Sequence, residues 1–306
     1  MAVFENSYRR YEGALTPGWA RLLVLPRYAL RDVFGSKFFT AVFCLCFIYP
    51  LVAAILIYLH HNTNAVALMQ IDVRELLPIN ASFFQHFVEV QGWLAFLLAV
   101  LVGPALVSRD LANNALPLYL CRPFSRAEYV LGKMTALVIL LSLVTWAPGL
   151  LLFLLQAYLE GAGWVVSNSW VAGAIFVGSM TWIVFISLLA LAISALVRWR
   201  VVAGGALLGL FFIPSAFGEI VNGLFMTRIG HLISPTDLMK NIRRGLFGNF
   251  TRELGRFNIE DGWGREFRNV VLREPPLWAC WLAVALVCLA CVWLLSRKVR
   301  AYEVIK

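Results

Sequence analysis

The run Trp170-Val-Ala-Gly-Ala-Ile-Phe-Val-Gly-Ser-Met-Thr-Trp-Ile-Val-Phe-Ile-Ser-Leu-Leu-Ala-Leu-Ala-Ile-Ser-Ala-Leu-Val197 decides the fold. It carries no charge and exceeds the about 20 apolar residues that a helix needs to cross a bilayer core. Its apolar residues are continuous, not alternating, which excludes the strand of a membrane barrel. Lipid offers no partner to backbone N–H and C=O groups, so such a run reads as a transmembrane helix. Five more charge-free runs surround it: Phe38–Leu59, Val90–Val107, Met134–Leu159, Val201–Gly218 and Pro275–Ser296. The expectation is an all-α polytopic membrane protein with six transmembrane helices, at about 38–59, 86–107, 126–159, 170–197, 201–221 and 275–296. The first run starts behind a long polar segment, which argues for a true span and against a cleaved leader.

Composition agrees. Of the 306 residues, 61% are hydrophobic and 14% charged, whereas a soluble domain carries roughly a quarter charged residues. The net charge of +9 speaks of topology and anionic lipid, not of nucleic acid. Basic residues cluster before the first span (Arg9, Arg10, Arg21, Arg27, Arg31, Lys37), between spans two and three (Arg109, Arg122, Arg126, Lys133), and in the tail (Arg297, Lys298, Arg300, Lys306). This bias puts both termini in the cytoplasm. The chain then divides into an N-terminal interfacial segment (1–37), a transmembrane domain (38–296) with a cytoplasmic loop at 108–133 and an extracytoplasmic loop at 222–274, and a cytoplasmic tail (297–306). The 222–274 loop is itself basic, with Arg228, Lys240, Arg243, Arg244, Arg252, Arg256, Arg265, Arg268 and Arg273, and runs against the charge bias.

Several segments outside the spans have local signatures. Thr16-Pro17 marks a helix start. From Pro26 on, Leu30, Val33, Phe34 and Phe38 share a helical face while Arg27 and Arg31 share another, the pattern of an interfacial amphipathic helix. In the loop after span two, Ser125-x-x-Glu128 forms a capping box and Phe124 with Tyr129 a hydrophobic staple. Pro117 and Pro123 interrupt helicity, leaving room for a short surface helix between Leu111 and Leu120. Ser234-Pro235-Thr236-Asp237 opens another helix, whose apolar stripe Leu238, Ile242 and Leu246 predicts an amphipathic helix resting on the outer leaflet. Gly245 and Gly248 end it.

Inside the spans, Pro50, Pro148 and Pro214 predict kinks. Gly205-x-x-x-Gly209 permits close approach of another helix, in this chain or a second one. Ser187, Ala190 and Ser194 give span four a similar small-residue face.

The sequence holds no catalytic constellation. It has no nucleotide-binding GxxxxGK[ST], no HExxH, and no Asp within a span. Cys288-Leu-Ala-Cys291 matches CxxC only formally, since mid-span it is a packing element, and the adjacent His60-His61 sits at headgroup level. No metal ligands and no cofactor are expected in this chain. At the outer ends of spans two and five, His86 and Glu89 (near Gln85 and Gln91) and Glu219 and Asn222 are the residues that would line a pathway mouth. Gln156 edges span three.

The loop carries a resemblance. Ser108-Arg109-Asp110-Leu111 through Asn113-Asn114-Ala-Leu-Pro-Leu-Tyr119, then Arg122-Pro-Phe-Ser-Arg126-Ala-Glu128-Tyr129 and Leu131-Gly-Lys133, resembles the loop between helices two and three in permease subunits of type-2 ABC exporters. Ser234-Pro235 and the tail Arg297–Ile305 fit the same family. The resemblance implies a six-helix permease with an amphipathic elbow helix, paired with a second permease copy or paralogue in the cell membrane. A separate ABC-type ATPase subunit, in two copies, would carry ATP and Mg. Its docking surface would be the loop, with Arg109, Asp110, Asn113, Asn114, Arg122, Arg126 and Glu128 as coupling residues. The alternative is a membrane scaffold that recruits a soluble partner without transport.

Overall fold

In a computed structural model, residues 18–62, 78–113, 126–197, 199–225, 227–251, 253–260 and 266–298 are described. Helix α1 (Gly18–Phe34) precedes α2 (Lys37–Leu45) and α3 (Ile48–His61). Then come α4 (Ala81–Ala112), α5 (Arg126–Val144), α6 (Trp146–Glu160), α7 (Ala162–Leu196) and α8 (Arg200–Phe225). A 3-10 turn (Ile229–Leu232), α9 (Pro235–Leu246), strands β1 (Glu253–Glu260) and β2 (Glu266–Arg273), and α10 (Leu277–Lys298) complete the order. Six helical segments among the described residues are long and apolar enough to cross a membrane: α2–α3, α4, α5–α6, α7, α8 and α10. The chain is an all-α polytopic membrane protein, with one antiparallel β1–β2 ribbon added in the loop before α10.

Helix α7 forms the core. Its buried residues run from Val171 to Ala195, against α4, α5, α6 and α10. It begins at Ala162, ahead of the charge-free run at Trp170, because α6 and α7 meet at Gly161, whose φ of 93° permits an abrupt reversal. Small residues set the close approaches. A Cβ on Gly103 of α4 would lie 2.6 Å from Cβ of Ala190 on α7, and one on Gly149 would lie 2.9 Å from Ile175. Oil does not drive helices together inside oil, so such packing and polar brackets hold the bundle.

Prolines create the need for those brackets, since each removes an N–H and leaves the carbonyl four residues earlier unpaired. Pro50 frees Cys46 O and Pro148 frees Val144 O. One side chain serves both: Gln91 Nε2 on α4 donates to Cys46 O at 3.2 Å and to Val144 O at 2.9 Å. Gln91 is wholly buried, so it is a bracket joining the first three spans and not part of an outer rim. Pro148 and Pro50 sit in the first turns of α6 and α3, so the first and third spans are broken ahead of them, at Cys46–Phe47 and at Thr145.

A second bracket lies near the opposite end of α4. Ser194 Oγ on α7 accepts from Ser108 N–H at 2.8 Å and Val107 N–H at 3.2 Å, and donates to Pro104 O at 2.8 Å. Ser108 Oγ also donates to Pro104 O. A hydroxyl from the neighbouring helix is thus inserted into the α4 ladder, one of the recognised causes of a bend. The small-residue face of α7 expected from Ser187, Ala190 and Ser194 is therefore the seat of α4.

Helix α9 departs from its expected placement. Ser234 caps it, accepting from Asp237 N–H at 3.2 Å, with Pro235 in the first turn, and Gly248 follows its end at φ 71°. Yet Leu238, Met239, Asn241, Ile242 and Arg243 are all buried. The helix does not rest on a leaflet. It closes one end of the bundle, packed on α10, α7 and α8. Two polar residues on the buried face explain the correction: Asn241 and Arg243 find partners only inside protein.

Candidate functional site

The two ends of the bundle carry different polar constructions. At the base, where α4 ends and α5 begins, Asp110 Oδ2 lies 2.9 Å from Lys133 Nζ and accepts from Tyr129 Oη at 2.6 Å. The Lys133 ammonium also sits 5.8 Å from the centre of the Tyr129 ring. Tyr129 is wholly buried, and the Lys133 and Asp110 side chains are only 11% and 15% exposed. Charge-assisted bonds of this length are the stronger class. They fasten the last turn of the second span to the first two turns of the third.

Helix α1 reinforces the joint. Leu25 of α1 packs on Gly132, where a Cβ would meet its side chain at 2.9 Å. Arg27 and Arg31 are exposed, but of the expected apolar face only Leu30 and Val33 are half-buried: Phe34 is exposed, and Phe38 is exposed in α2, because α1 ends at Phe34. Between α1, α4 and α5 a cleft of about 250 Å³ is lined by Tyr28, Asp32, Asp110, Asn113 and Lys133, among others.

The expected coupling residues distribute around this joint. Asp110 faces Lys133 and Tyr129 inside the chain, and Asn113 is exposed just past α4. Arg109 lies in the last turn of α4, and Arg126 opens α5. Glu128 is half-buried in the first turn of α5, where an acid complements the helix dipole. Asn114 and Arg122 lie outside the described residues, as do the Ser125 cap, the Phe124 staple, Thr16-Pro17, and all but the start of the surface helix expected between Leu111 and Leu120, whose Leu111 and Ala112 belong to the end of α4.

At the cap end, three of the four expected mouth residues meet the α9 region, in two separate places. Glu89 lies 3.6 Å from Arg243 Nη2, whose guanidinium stands 5.7 Å from the ring of Trp182 on α7. Burial pulls Arg243 below its ordinary value, opposed by Glu89, and a guanidinium stays charged regardless. His86, one turn from Glu89, is exposed. On the other side, Asn222 Oδ1 accepts from Gly230 N–H at 2.8 Å, and Glu219 lies 3.6 Å from His231 Nε2. His231 Nδ1 and Glu274 Oε2 are 2.7 Å apart, and Asn241 Nδ2 donates to the same oxygen at 3.2 Å.

Desolvation lowers the His231 pKa, but the hydrogen bond and charge of Glu274 outweigh it, and the net direction is up. Glu274 moves the other way. Burial raises it, His231 and Asn241 pull it lower, and the net direction is down. Both directions favour the charged pair.

Gly205 and Gly209 pack against no other helix among the described residues: a Cβ on Gly205 would meet open space, and one on Gly209 only Ile213 of its own helix. Helix α8 packs within the chain through Ala203, Gly204, Leu207 and Phe211 instead. Of the histidine pair, His61 Nε2 lies 3.2 Å from Glu160 and ties the ends of the first and third spans. Gln156 of α6 is buried, 3.5 Å from the same glutamate. Cys288 and Cys291 are free thiols, Cys291 buried.

Sequence reading missed the Asp110–Lys133–Tyr129 joint, the Gln91 and Ser194 brackets, and the His231–Glu274 pair. Only Gln91 had a usable signal, as an isolated amide within the second span in a chain with proline-broken neighbours.

A family model described as ABC-2 family transporter protein matches residues 31–253, most of the chain. No curated protein matches it.

Proposed function

The chain belongs to the ABC-2 family of transporter proteins, and from that premise we propose that it is the transmembrane permease subunit of an exporter driven by a separate ATPase. Two copies of the ATPase, holding ATP and Mg, dock on the cytoplasmic loop 108–133. A second permease copy or paralogue completes the membrane unit in the cell membrane, with both termini cytoplasmic.

The observation that carries this reading is the joint at the base. A loop that relays force must be stiff where it enters the membrane, and Asp110, Tyr129 and Lys133 tie both of its ends together. Displacement of the segment between them is delivered to α4 and α5 as a unit, and α1 moves with α5 through Leu25 and Gly132. Arg109, Asn113, Asn114, Arg122, Arg126 and Glu128 supply the contacts to the ATPase. Asp110 serves as the fastening. Helix α4 transmits the movement to α7 through Ser194 and to α9 through Glu89 and Arg243. His86, Glu89, Glu219 and Asn222 then line the outer exit, which α9 covers at rest.

Gly205 and Gly209 supply the contact to the second permease copy. Both stand on an apolar side of α8 with Phe212 and Ile213 exposed beside them, and small-residue faces of this kind let helices approach closely.

The test is copurification of the chain with an ABC-type ATPase, and vanadate-sensitive ATP hydrolysis by the reconstituted pair. Hydrolysis stimulated by the chain supports the assignment. A chain that neither retains nor stimulates such an ATPase contradicts it.

A further inference from the structure

Three donor groups from three elements converge at the cap end: Glu219 on α8, His231 in the 3-10 turn and Asp237 in the first turn of α9. One ligand atom of each lies within 4.8 Å of the other two. We propose that they form a binding site for a divalent transition-metal ion, with Zn2+ the ion that the donors fit best. The site goes beyond the transport reading and does not rest on it.

The histidine is already oriented as a ligand. Its Nδ1 is held by Glu274, which Asn241 holds in turn. A carboxylate on one ring nitrogen is the outer-shell arrangement that fixes the tautomer and leaves the other nitrogen for a metal. That other nitrogen, Nε2, faces Glu219 at 3.6 Å, too long for a hydrogen bond. His231 is only 6% exposed, and among the described residues no hydrogen bond reaches its Nε2.

Size and charge agree. Bonds of about 2.0–2.1 Å in tetrahedral array separate donors by about 3.4 Å. His231 and Glu219 are near that spacing, and the Glu219 side chain, 60% exposed, is free to adjust. Glu219, Asp237 and Glu274 against nearby Arg228 leave two negative charges when the imidazole is neutral, the charge a divalent cation neutralises. One imidazole among the donors favours zinc-like ions over Mg2+ and Ca2+. Exposure at Glu219 leaves room for water in a fourth position. Once filled, the site ties the end of α8 to α9 and, through Glu274, to the start of α10.

The experiment titrates ZnCl2 into the full chain in detergent by calorimetry, with Mg2+ in excess. His60, His61 and His86 are replaced by Gln so that His231 is the remaining histidine. The expected result is saturable binding of one Zn2+ per chain. Glu219→Gln and Asp237→Asn, near the surface and compatible with folding, each weaken it at least tenfold. Glu274→Gln weakens it about 10- to 100-fold through the ring it positions. X-ray absorption of the bound zinc shows one imidazole with oxygen ligands and no sulfur. Absence of saturable binding, unchanged affinity in Glu219→Gln, or sulfur in the coordination sphere overturns the proposal.

Discussion

Asp110 Oδ2 and Lys133 Nζ, 2.9 Å apart, join the end of one span to the start of the next across the loop that the proposed ATPase grips. Removing one partner of a nearly buried pair strands the other and costs about 3 kcal/mol. Lys133→Met and Asp110→Asn are each expected to lower the unfolding midpoint in detergent. Their combination loses less than the sum, the mark of a direct coupling. The same single variants bind the ATPase but stimulate it poorly, because docking survives while the joint slackens. Additive midpoints together with full stimulation would remove the joint from the mechanism.

Gln91 answers for two carbonyls that prolines release. Gln91→Leu leaves both unpaired in an apolar interior and is expected to cost about 2 kcal/mol. Pro148→Ala restores an N–H within reach of Val144 O, so in the Gln91→Leu background it recovers part of the loss. Thermal unfolding of the two single variants and the double variant checks this. Failure of Pro148→Ala to help at all means that Gln91 matters only through its volume.

The pair Glu89 and Arg243 is asymmetric: the arginine side chain is 7% exposed, the glutamate 28%. Glu89→Leu strands the more buried charge and destabilises by about 3 kcal/mol. Arg243→Leu keeps apolar volume beside Trp182 and leaves a carboxylate that water can reach, so it is the milder change. Arg243→Leu introduced into Glu89→Leu raises the midpoint again. If it lowers the midpoint further, the pairing is not what holds α9 to α4.

Gly205 and Gly209 touch no other helix of their own chain among the described residues. Gly205→Leu with Gly209→Leu is therefore expected to leave the monomer's unfolding free energy within about 0.5 kcal/mol, as for other changes that disturb no packing. The same variant shifts the protein from dimer to monomer in light scattering. A folded dimer of unchanged mass argues against this face as the subunit contact.

The spans were legible because lipid imposes a local rule: a stretch free of charge, such as Trp170–Val197, has one stable form. The Ser234-Pro235-Asp237 cap was legible for the same reason, since capping is settled within four residues. Partners far apart in sequence were not. His231 and Glu274 are separated by 43 positions, and only the packing of α9 between them creates the pair. The burial of α9 was missed because an amphipathic stripe looks alike whether it faces lipid or protein, and the residues that distinguish the two, Asn241 and Arg243, lay off the stripe. The β1–β2 ribbon did leave a trace. Phe257 and Ile259, then Phe267, Val270 and Val271, are strand formers in two runs either side of Asp261-Gly262-Trp263-Gly264. The basic residues between them drew attention to charge instead.

On the proposed topology the joint and its loop face the ATPase, while α9 closes the other side of the membrane. Single cysteines at Asn113 and Thr251, in a chain freed of its six native cysteines, test it directly with a membrane-impermeant maleimide. In sealed right-side-out vesicles Thr251→Cys should label and Asn113→Cys should not, and in inverted vesicles the pattern should reverse. Labelling of Asn113→Cys from the exterior contradicts the account, because no cytoplasmic ATPase could then reach the loop.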